Sequence, residues 1–487
     1  MRDLPAALAL LALAFLARGL FFGNPVVESD EQFYLLVGDR LLGGALPYRD
    51  IWDRKPVGLF LVYAAIRALG GEGIVQYQVV ATLFAAATAF LVFRIGAEVA
   101  PRRGGLLAGA AYLLWLGAFG GEGGQAPVLY NLPMAAAAWA ALRAVAHPGT
   151  PARLLGLGAA AMLATGLAMQ VKYTAVFEGA FLGLALLWAA WRARAGWPFL
   201  LLASLAWAAC ALLPTAAALA AYAALGEAEA FLFANFLSIF RRNTAALGSS
   251  LPRLAAMAGL LLPLGLAAVL GLRQGWREAT GAPRRRALGF VAGWSAAAVL
   301  GVLLFGTYYN HYALPLLLPL SVAAAPLLGR PLQDPGARAW KVPAAPALLA
   351  LGAVATIVPA ILHLRSRGDG SEVRALAAAV RPGATLYVFD GESILYFLTR
   401  SPLPTRYVFP THLNDRREAS GIGVDPVAEL RRVLASRPDY VVTTDRTRER
   451  INPAAEAVLA EALAGGYRVV QQVRIGSRQR LLYARLP

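Results

Sequence analysis

Long apolar runs alternate with short polar connections along most of this chain. Each run approaches the roughly twenty residues that an α-helix needs to cross a bilayer. Eleven such runs lie between the amino terminus and residue 364. They predict membrane-spanning helices at Pro5–Phe22, Ile74–Ala100, Gly104–Gly120, Ala126–Ala146, Leu154–Val171, Tyr173–Trp191, Pro198–Leu225, Leu254–Leu272, Ala287–Gly306, Tyr312–Leu328 and Val342–Leu364.

Two regions are too polar to lie inside a membrane. The first, residues 24–73, follows the first expected span, and the second covers residues 365–487. In the second region, apolar runs such as TLYVF and DYVVTTD alternate with helical patterns such as VAELRRVLAS. Strands that alternate with helices predict a small α/β domain. We therefore expect a polytopic α-helical membrane domain over residues 1–364 and a C-terminal α/β domain over residues 365–487.

The first polar region contains two short helical patterns. Ser29, followed three residues later by Gln32 and by an apolar stripe, is typical of a helix amino terminus with Ser29 as the N-cap. A pair of glycines that begins at Gly43 ends this helix. The second pattern covers Val57–Leu69. Because both helices are too short to span a bilayer, we expect them to lie at its outer interface.

Composition supports the membrane class and excludes several others. Hydrophobic residues make up 58% of the chain, charged residues make up 15%, and the mean hydropathy is +0.56, which no ordinary soluble protein shows. The net charge of +17 is not accompanied by any nucleic-acid-binding motif. A single cysteine, Cys210, excludes a disulfide framework, and the four histidines are too scattered for a zinc site.

Lys and Arg residues in the short loops indicate the orientation of the chain. With the amino terminus in the cytoplasm, sixteen of them fall in cytoplasmic connections and their flanks, and nine fall in outer connections. An odd number of spans then places the carboxyl terminus on the opposite side. We therefore expect a cytoplasmic amino terminus and an extracytoplasmic C-terminal domain.

Two interpretations are open for three charged residues of the first polar region, Asp30, Glu31 and Lys55. Acidic residues in a first helical turn complement the helix dipole, and a lysine beside a membrane extends to the headgroups. The chain has only three lysines against forty-two arginines, yet Lys55 and Lys172 both fall at the expected outer face. A compact ammonium suits a single phosphate group. The residues alone leave a structural role and a phosphate-binding role open.

The segment SDEQFYLLVGDRLLGGALPYRDIWDRKP has an acidic pair, an aromatic-rich helix, a PY pair and a KP turn. It resembles the bacterial integral-membrane glycosyltransferases of the GT-C fold. Within them it is most similar to the branch of protein O-mannosyltransferases and lipid A aminoarabinose transferases. The resemblance continues through GLAMQVKYTAVFEG and NHYALPLLLPL and covers the whole chain. It implies a multi-pass enzyme of the bacterial inner (plasma) membrane.

The resemblance also implies an activity and roles for several residues. Such an enzyme moves a hexose or pentose from a polyprenyl-phosphate donor to a glycan, lipid or protein acceptor of the cell envelope, at the outer membrane face. Asp30 matches the first-loop acid of the family and is the expected general base, with Glu31 beside it. Lys55 is expected to stabilise the leaving phosphate. The other candidate substrate-binding residues are Tyr34, Lys172, Arg241, Arg242, His311 and Tyr312. For Arg241 and Arg242, contact with lipid headgroups is the alternative to contact with a phosphate of the substrate.

The sequence departs from its relatives at positions that bear on metal binding. Phe33 stands where some relatives carry a basic residue, and Arg54 stands where some carry an acid. The loop after the third expected span has no second acidic motif at the start of the next helix. These departures favour transfer that requires no metal ion and no other cofactor.

Four further acidic residues are not assigned to the expected site. Glu178, inside an expected span, has either a function or a partner on a neighbouring helix. Asp39, Asp50 and Asp53 are expected only to keep the first loop solvated. A secondary transporter or a flippase of envelope precursors is the alternative function. The absence of internal repeats, which many transporters show, counts against it.

Overall fold

A computed structural model describes residues 2–243, 247–330, 344–445, 450–476 and 478–487. Val342 and Pro343, at the start of the last expected span, lie outside these residues. The α-helices described are α1 (Leu4–Arg18), α2 (Ser29–Leu42), α3 (Val57–Ala68), α4 (Ile74–Val99), α5 (Arg102–Leu116), α6 (Ala126–Ala146), α7 (Pro151–Met169), α8 (Ala175–Arg192), α9 (Trp197–Ala224), α10 (Ala228–Leu232), α11 (Ser238–Arg241), α12 (Leu247–Glu278), α13 (Ala282–Phe305), α14 (Leu317–Leu328), α15 (Ala344–Arg367), α16 (Ser371–Ala378), α17 (Ile394–Leu398), α18 (Thr411–Asn414), α19 (Pro426–Ala435) and α20 (Pro453–Gly466). The strands are β1 (Leu386–Val388), β2 (Tyr440–Thr444), β3 (Tyr467–Ile475) and β4 (Arg478–Arg485).

Ten helical segments in the described part of the chain are long and apolar enough, by length and composition, to cross a membrane. They confirm a polytopic α-helical membrane protein and coincide with ten of the eleven expected spans. The exception is the span expected at Gly104–Gly120. There α5 has 15 residues and continues only through the 3-10 helix Gly117–Phe119. Arg102 and Arg103 at the start of α5 lower its mean hydropathy. Whether α5 counts as a span decides whether the number of spans is odd or even. The side of the membrane on which the carboxyl terminus lies therefore stays a prediction.

The chain divides into two compact units. The first, which we call the helical unit, comprises Met1–Leu20, Val79–Ala217 and Ala246–Ala360. The second, which we call the mixed unit, comprises Phe21–Gln78, Ala218–Ala245 and Ile361–Pro487. The mixed unit therefore joins the first polar region and the C-terminal domain, which are far apart in the sequence.

Small residues allow close packing in the helical unit. A Cβ atom on Gly105 of α5 would lie 2.5 Å from the carbonyl oxygen of Phe93 in α4. One on Gly109 would lie 2.7 Å from the carbonyl oxygen of Ala89. Glycines four residues apart are typical of membrane helices that associate through backbone contact. Any larger side chain at these two positions would force α4 and α5 apart.

The mixed unit contains a four-stranded sheet with the strand order β1-β2-β4-β3. Strands β1 and β2 are parallel, and β4 is antiparallel to both β2 and β3. Its core joins Tyr387 and Val441 of the sheet to Leu430 of α19 and Leu459 of α20. This arrangement confirms the expected small C-terminal α/β region. Trp52, from the first polar region, is part of the same core.

The two short helices expected in the first polar region are present as α2 and α3. The expected N-cap at Ser29 is wrong by one residue, because Ser29 is the first helical residue and Glu28 is the N-cap. The Glu28 side chain makes no capping hydrogen bond and instead accepts one from Arg367 Nη1 at 3.1 Å. Helix α2 ends before Gly43, as expected.

Candidate active site

The turn between α2 and α3 holds the backbone of Lys55 in place. Tyr48 adopts a left-handed backbone with a φ of 72°, and its N–H donates to the Ile51 carbonyl at 2.7 Å. Trp52 is buried, and its N–H donates to the Arg406 carbonyl at 2.9 Å. The Tyr48 hydroxyl donates to the carbonyl oxygen of Lys55 at 2.8 Å. The backbone from which the Lys55 side chain extends is therefore fixed by these hydrogen bonds.

Lys55, Tyr34 and Asp30 form a hydrogen-bonded group that we call the triad. Lys55 Nζ donates to the Tyr34 hydroxyl oxygen at 2.9 Å, and the Tyr34 hydroxyl donates to Asp30 Oδ2 at 3.2 Å. The ammonium nitrogen lies 3.6 Å from the same carboxylate oxygen. Asp30 and Tyr34 are four residues apart on α2, so their side chains share one helix face. The structure thus brings together three of the expected site residues.

The triad joins a buried hydroxyl to two charged groups that solvent reaches. The side chains of Lys55 and Asp30 are 26% and 24% exposed, whereas Tyr34 is buried. Burial, followed by the nearby charge of Asp30, raises the pKa of Tyr34 well above its ordinary value. The Tyr34 hydroxyl therefore stays protonated at physiological pH and remains a hydrogen-bond donor.

Asp53 belongs to the surroundings of the triad, although the sequence suggested only a solvating role. Burial raises the pKa of its carboxyl group, while the positive charge of Lys55 opposes the rise. Asp53 Oδ1 also accepts a hydrogen bond from the Arg54 backbone N–H at 2.6 Å. Its position two residues before Lys55 is the only sequence signal that could have indicated this placement.

Glu31 lies on a different side of α2 from Asp30, because each residue of a helix turns the chain by about 100°. It is fully buried, and the Tyr77 hydroxyl donates to its carboxylate. The rings of Tyr34, Tyr63 and Tyr77 follow one another with centroid distances of 5.5 and 5.7 Å. The two expected catalytic acids are thus separated, with Asp30 in the triad and Glu31 among tyrosines.

Arg242 and Arg54 share one carboxylate. Arg242 Nη2 lies 2.7 Å from Glu418 Oε1, and Arg54 Nη1 donates to the other oxygen of Glu418. Arg241, the neighbouring candidate, is exposed and its guanidinium lies 5.3 Å from the centroid of the Phe233 ring. The charge of Arg242 is therefore engaged within the mixed unit, whereas the exposed Arg241 places its guanidinium over the Phe233 ring.

Lys172, His311 and Tyr312 lie together in the helical unit. Lys172 Nζ is 4.5 Å from the centroid of the Tyr312 ring, and the His311 ring is 4.8 Å from it. Lys172 and Tyr312 also line a cavity of about 30 Å³ with Glu178, which is room for a water molecule. Glu178 accepts a hydrogen bond from the Trp294 indole nitrogen at 2.7 Å. Glu178 therefore has a partner on a neighbouring helix, which is one of the two interpretations that the sequence allowed.

Two other first-loop acids have basic partners. Asp39 accepts a hydrogen bond from Arg67 Nε at 2.9 Å, and Asp50 accepts one from Arg49 Nη2 at 2.8 Å. Within the described ranges, no group of three or more His, Cys, Asp or Glu side chains is arranged to hold a metal ion.

Comparisons with known proteins give matches among solved structures. No protein-family model and no curated protein matches this sequence. ArnT from Cupriavidus metallidurans, bound to undecaprenyl phosphate, matches with a TM-score of 0.62 at 15% identity, over 98% of this chain and 97% of its own. The oligosaccharyltransferase AglB from Archaeoglobus fulgidus, in complex with an inhibitory peptide and a dolichol-phosphate, matches with a TM-score of 0.52 at 12% identity, over 91% of this chain and 69% of its own.

The apo form of the Archaeoglobus fulgidus oligosaccharyltransferase also matches, with a TM-score of 0.52 and 13% identity. At these identities the likeness concerns the fold. ArnT and AglB are both GT-C glycosyltransferases, and the match to ArnT extends over nearly the whole of both chains. The resemblance seen in the sequence is thereby confirmed at the level of architecture: this chain has the fold of the GT-C membrane glycosyltransferases.

Proposed function

We propose that this protein transfers a sugar from a polyprenyl-phosphate donor to an acceptor of the cell envelope at the outer membrane face. The observation that carries this proposal is the triad, in which a carboxylate, a neutral phenol and an ammonium lie within 3.6 Å of one another. Glycosyl transfer from a phosphate needs a group that accepts a proton and a group that stabilises a leaving anion. Asp30 and Lys55 supply one of each.

Asp30 acts as the general base in the proposed reaction. Its carboxylate takes the proton of an acceptor hydroxyl as the hydroxyl oxygen attacks the anomeric carbon of the donor sugar. The bond between that carbon and the phosphate oxygen breaks, and the electron pair leaves with the polyprenyl phosphate. A single direct displacement of this kind inverts the anomeric centre.

Lys55 stabilises the negative charge of the departing phosphate. Without a donor, its ammonium is held by the Tyr34 hydroxyl and the Asp30 carboxylate. A phosphate competes for the same ammonium through a charge-assisted hydrogen bond. When Lys55 turns to the phosphate, Asp30 loses a positive neighbour and becomes a better proton acceptor. Donor binding therefore prepares the base.

The lipids bound to the structural neighbours support a polyprenyl-phosphate donor. ArnT was solved with undecaprenyl phosphate, and AglB was solved with a dolichol-phosphate. Both lipids place a phosphate at the end of a long isoprenoid chain, which is the chemistry that a membrane-embedded enzyme with a headgroup-level lysine would recognise.

The other expected site residues receive supporting roles. Lys172, His311 and Tyr312 form one polar group in the helical unit, which we propose takes part in substrate binding within that unit. Arg241 is exposed, and its guanidinium suits an anionic part of a substrate. Arg242 is proposed to act through its ion pair, by fixing the segment that carries Arg241. Glu31 is proposed to orient the tyrosines around the triad.

Transfer is proposed to require no metal ion. The ammonium of Lys55 takes the part that a divalent cation plays in related chemistry. We expect the rate to be unchanged after dialysis against EDTA. A rate that falls on chelation and returns on addition of Mg²⁺ or Mn²⁺ would contradict this part of the proposal.

The proposed activity is tested by Asp30→Asn in membranes supplied with a radiolabelled polyprenyl-phosphate sugar. Asparagine keeps the shape and the hydrogen bond from Tyr34 but cannot accept the proton. We expect transfer to fall by roughly 10²- to 10⁴-fold, the usual contribution of a general base. Asp39→Asn, a change on the same helix at an acid paired with Arg67, is the matched control.

Two outcomes would contradict the proposal. Transfer by Asp30→Asn at the wild-type rate would remove Asp30 as the base. If the wild-type protein consumed no lipid-linked sugar but moved a labelled precursor across sealed vesicles, the transporter alternative would be supported instead.

A further inference from the structure

A polar cavity of about 440 Å³ lies within the mixed unit. Its wall is formed by the start of α2, the turn after β1, the segment around α18, and the ends of β3 and β4. Cavities of this size are typical of small-molecule sites. None of the roles proposed above uses it.

The sheet topology explains why polar side chains meet at this cavity. Strands β1 and β2 are parallel, so their carboxyl ends lie at one edge of the sheet, where α/β folds commonly bind ligands. Asp390, Glu392 and Ser393 follow β1 directly. Arg480 of β4 pairs with the last residue of β2, because β4 runs back along β2. The first residues of β4 are thereby placed beside the turn after β1.

The cavity offers charges of both signs together with neutral polar groups. Arg480 Nη2 and Nε donate to the Glu392 carboxylate at 2.6 and 2.9 Å. The Thr444 hydroxyl donates to Asp390 Oδ2 at 2.8 Å. The amides of Gln32 and Asn414 and the hydroxyl of Ser393 also line the wall. Such a wall presents both donors and acceptors to a ligand.

Two buried atoms on this wall point to a missing binding partner. Arg480 is 6% exposed and Ser393 is 2% exposed. In the part of the chain that the structure describes, Arg480 Nη1 and Ser393 Oγ have no hydrogen-bond partner. Buried polar atoms are nearly always paired in folded proteins, so exceptions at a cavity indicate a ligand or ordered water.

Arg478 supplies a positive charge that forms no ion pair with any described residue. It lines the cavity at the first position of β4 and is partly exposed. No ion pair or side-chain hydrogen bond of Arg478 occurs among the described residues. By contrast, Arg480 is paired with Glu392 and Arg367 is paired with Glu28. The guanidinium of Arg478 is therefore suited to an anionic group on the ligand.

We propose that this cavity binds an acidic saccharide, meaning a sugar that carries a phosphate or a carboxylate. The sugar hydroxyls would bond to the carboxylates, the amides and Ser393, and the anionic group would bond to Arg478. Phe409 gives one wall an apolar surface for a sugar ring. The ligand chemistry follows from the wall itself and is independent of the transfer reaction.

The cavity is a second site, separate from the triad. Ser29 and Gln32 face the cavity, whereas Asp30 and Tyr34 form the triad. These two pairs lie about 150° apart around α2, as the helical turn per residue requires. A ligand in the cavity can therefore occupy one side of the helix while the triad acts on the other.

Binding is tested with the full-length protein in detergent, without any lipid donor, by titration calorimetry. The probes are glucose 1-phosphate and glucuronic acid, with glucose and inorganic phosphate as comparisons. We expect both acidic sugars to bind more tightly than glucose or phosphate alone. Arg478→Gln should weaken their binding about tenfold, the usual effect of losing a charged hydrogen bond.

Matched variants separate the sugar contacts from the charge. Ser393→Ala should weaken binding of both acidic sugars and of glucose several-fold, since it removes a neutral bond. Arg468→Gln removes an exposed charge from β3, outside the cavity, and should leave affinity unchanged. Asp30→Asn should also leave binding unchanged, which distinguishes this site from the proposed transfer reaction.

The inference is overturned if neither acidic sugar binds, or if Arg478→Gln and Arg468→Gln reduce affinity equally. It is also overturned if inorganic phosphate binds as tightly as glucose 1-phosphate and Ser393→Ala has no effect, because the site would then recognise only the anion. Loss of transfer in Asp30→Asn with intact saccharide binding supports both proposals. Absence of transfer in the wild type would leave the binding result standing.

Discussion

The ammonium of Lys55 lies 3.6 Å from the Asp30 carboxylate, with the Tyr34 hydroxyl bonded to both. The phenol accepts from one charged group and donates to the other. Because burial raises the pKa of Tyr34 well above its ordinary value, the phenol keeps its proton while either neighbour changes its charge. Tyr34 therefore holds the Asp30 carboxylate, the proposed base, and the Lys55 ammonium, the proposed phosphate ligand, in position while it stays protonated itself.

Replacing Tyr34 with Phe should lower kcat by roughly 10- to 100-fold. The variant keeps the ring and its packing but loses the hydroxyl that bonds to Lys55 and Asp30. The expected fall corresponds to about 1.5–3 kcal/mol, the worth of one hydrogen bond to a charged group. The measurement is the steady-state rate of transfer at saturating donor in reconstituted vesicles. Tyr483→Phe, a tyrosine change on β4, is the control. An unchanged kcat in Tyr34→Phe would show that the hydroxyl does not position the triad.

Replacing Lys55 with Gln should lower kcat/KM for the lipid donor by roughly 10²- to 10³-fold, as for other groups that stabilise a developing anion. Lys55→Arg should recover only part of the activity, since a planar guanidinium cannot reproduce the bond to Tyr34 with the same geometry. Initial rates over a range of donor concentrations give both constants.

Arg67→Gln is the control for the Lys55 variants. It removes another cation of the same region, one paired with Asp39 outside the triad. Equal losses in Lys55→Gln and Arg67→Gln would mean that only the general charge of the loop matters.

Replacing Glu418 with Gln should destabilise the mixed unit by about 3 kcal/mol, because two largely buried guanidinium groups would lose their shared counter-charge. Thermal unfolding in one detergent should show a melting temperature several degrees lower. Asp50→Asn, at an exposed ion pair with Arg49, should change stability by less than about 1 kcal/mol. Equal melting temperatures for Glu418→Gln and wild type would show that Arg54 and Arg242 need no partner.

Ten of the eleven expected spans, the carboxyl end of α2 and the start of α3 could be predicted because their signals are local. Length and hydropathy define a span, and the glycine pair at Gly43 ends α2 whatever surrounds it. The error at Ser29 also has a local cause. A serine before an acidic, apolar stretch looks like an N-cap, but the preceding Glu28 takes that place and turns to Arg367.

The candidate site could be predicted only in part. Asp30 and Tyr34 share a face because they are four residues apart, which sequence spacing reveals. The position of Lys55 depends instead on Trp52, which is anchored to Arg406 and buried in the core of the C-terminal domain. No local pattern encodes a contact across that separation. The ion pairs of Glu418 with both Arg54 and Arg242 could not be predicted for the same reason.

His412 should make the mixed unit sensitive to acid. Its buried ring lies 4.8 Å from Trp52, and burial, helped by the charges of Arg54, Lys55 and Arg242, lowers its pKa well below 6.5. The unfolded chain then binds the proton more readily, so stability is full above pH 6.5 and falls by up to about 1.4 kcal/mol per pH unit below it. We expect His412→Phe to flatten the fall in melting temperature between pH 7 and pH 5. His147→Gln, at a half-exposed histidine, should keep the wild-type slope. An unaltered slope in His412→Phe would mean that the acid sensitivity arises at other groups.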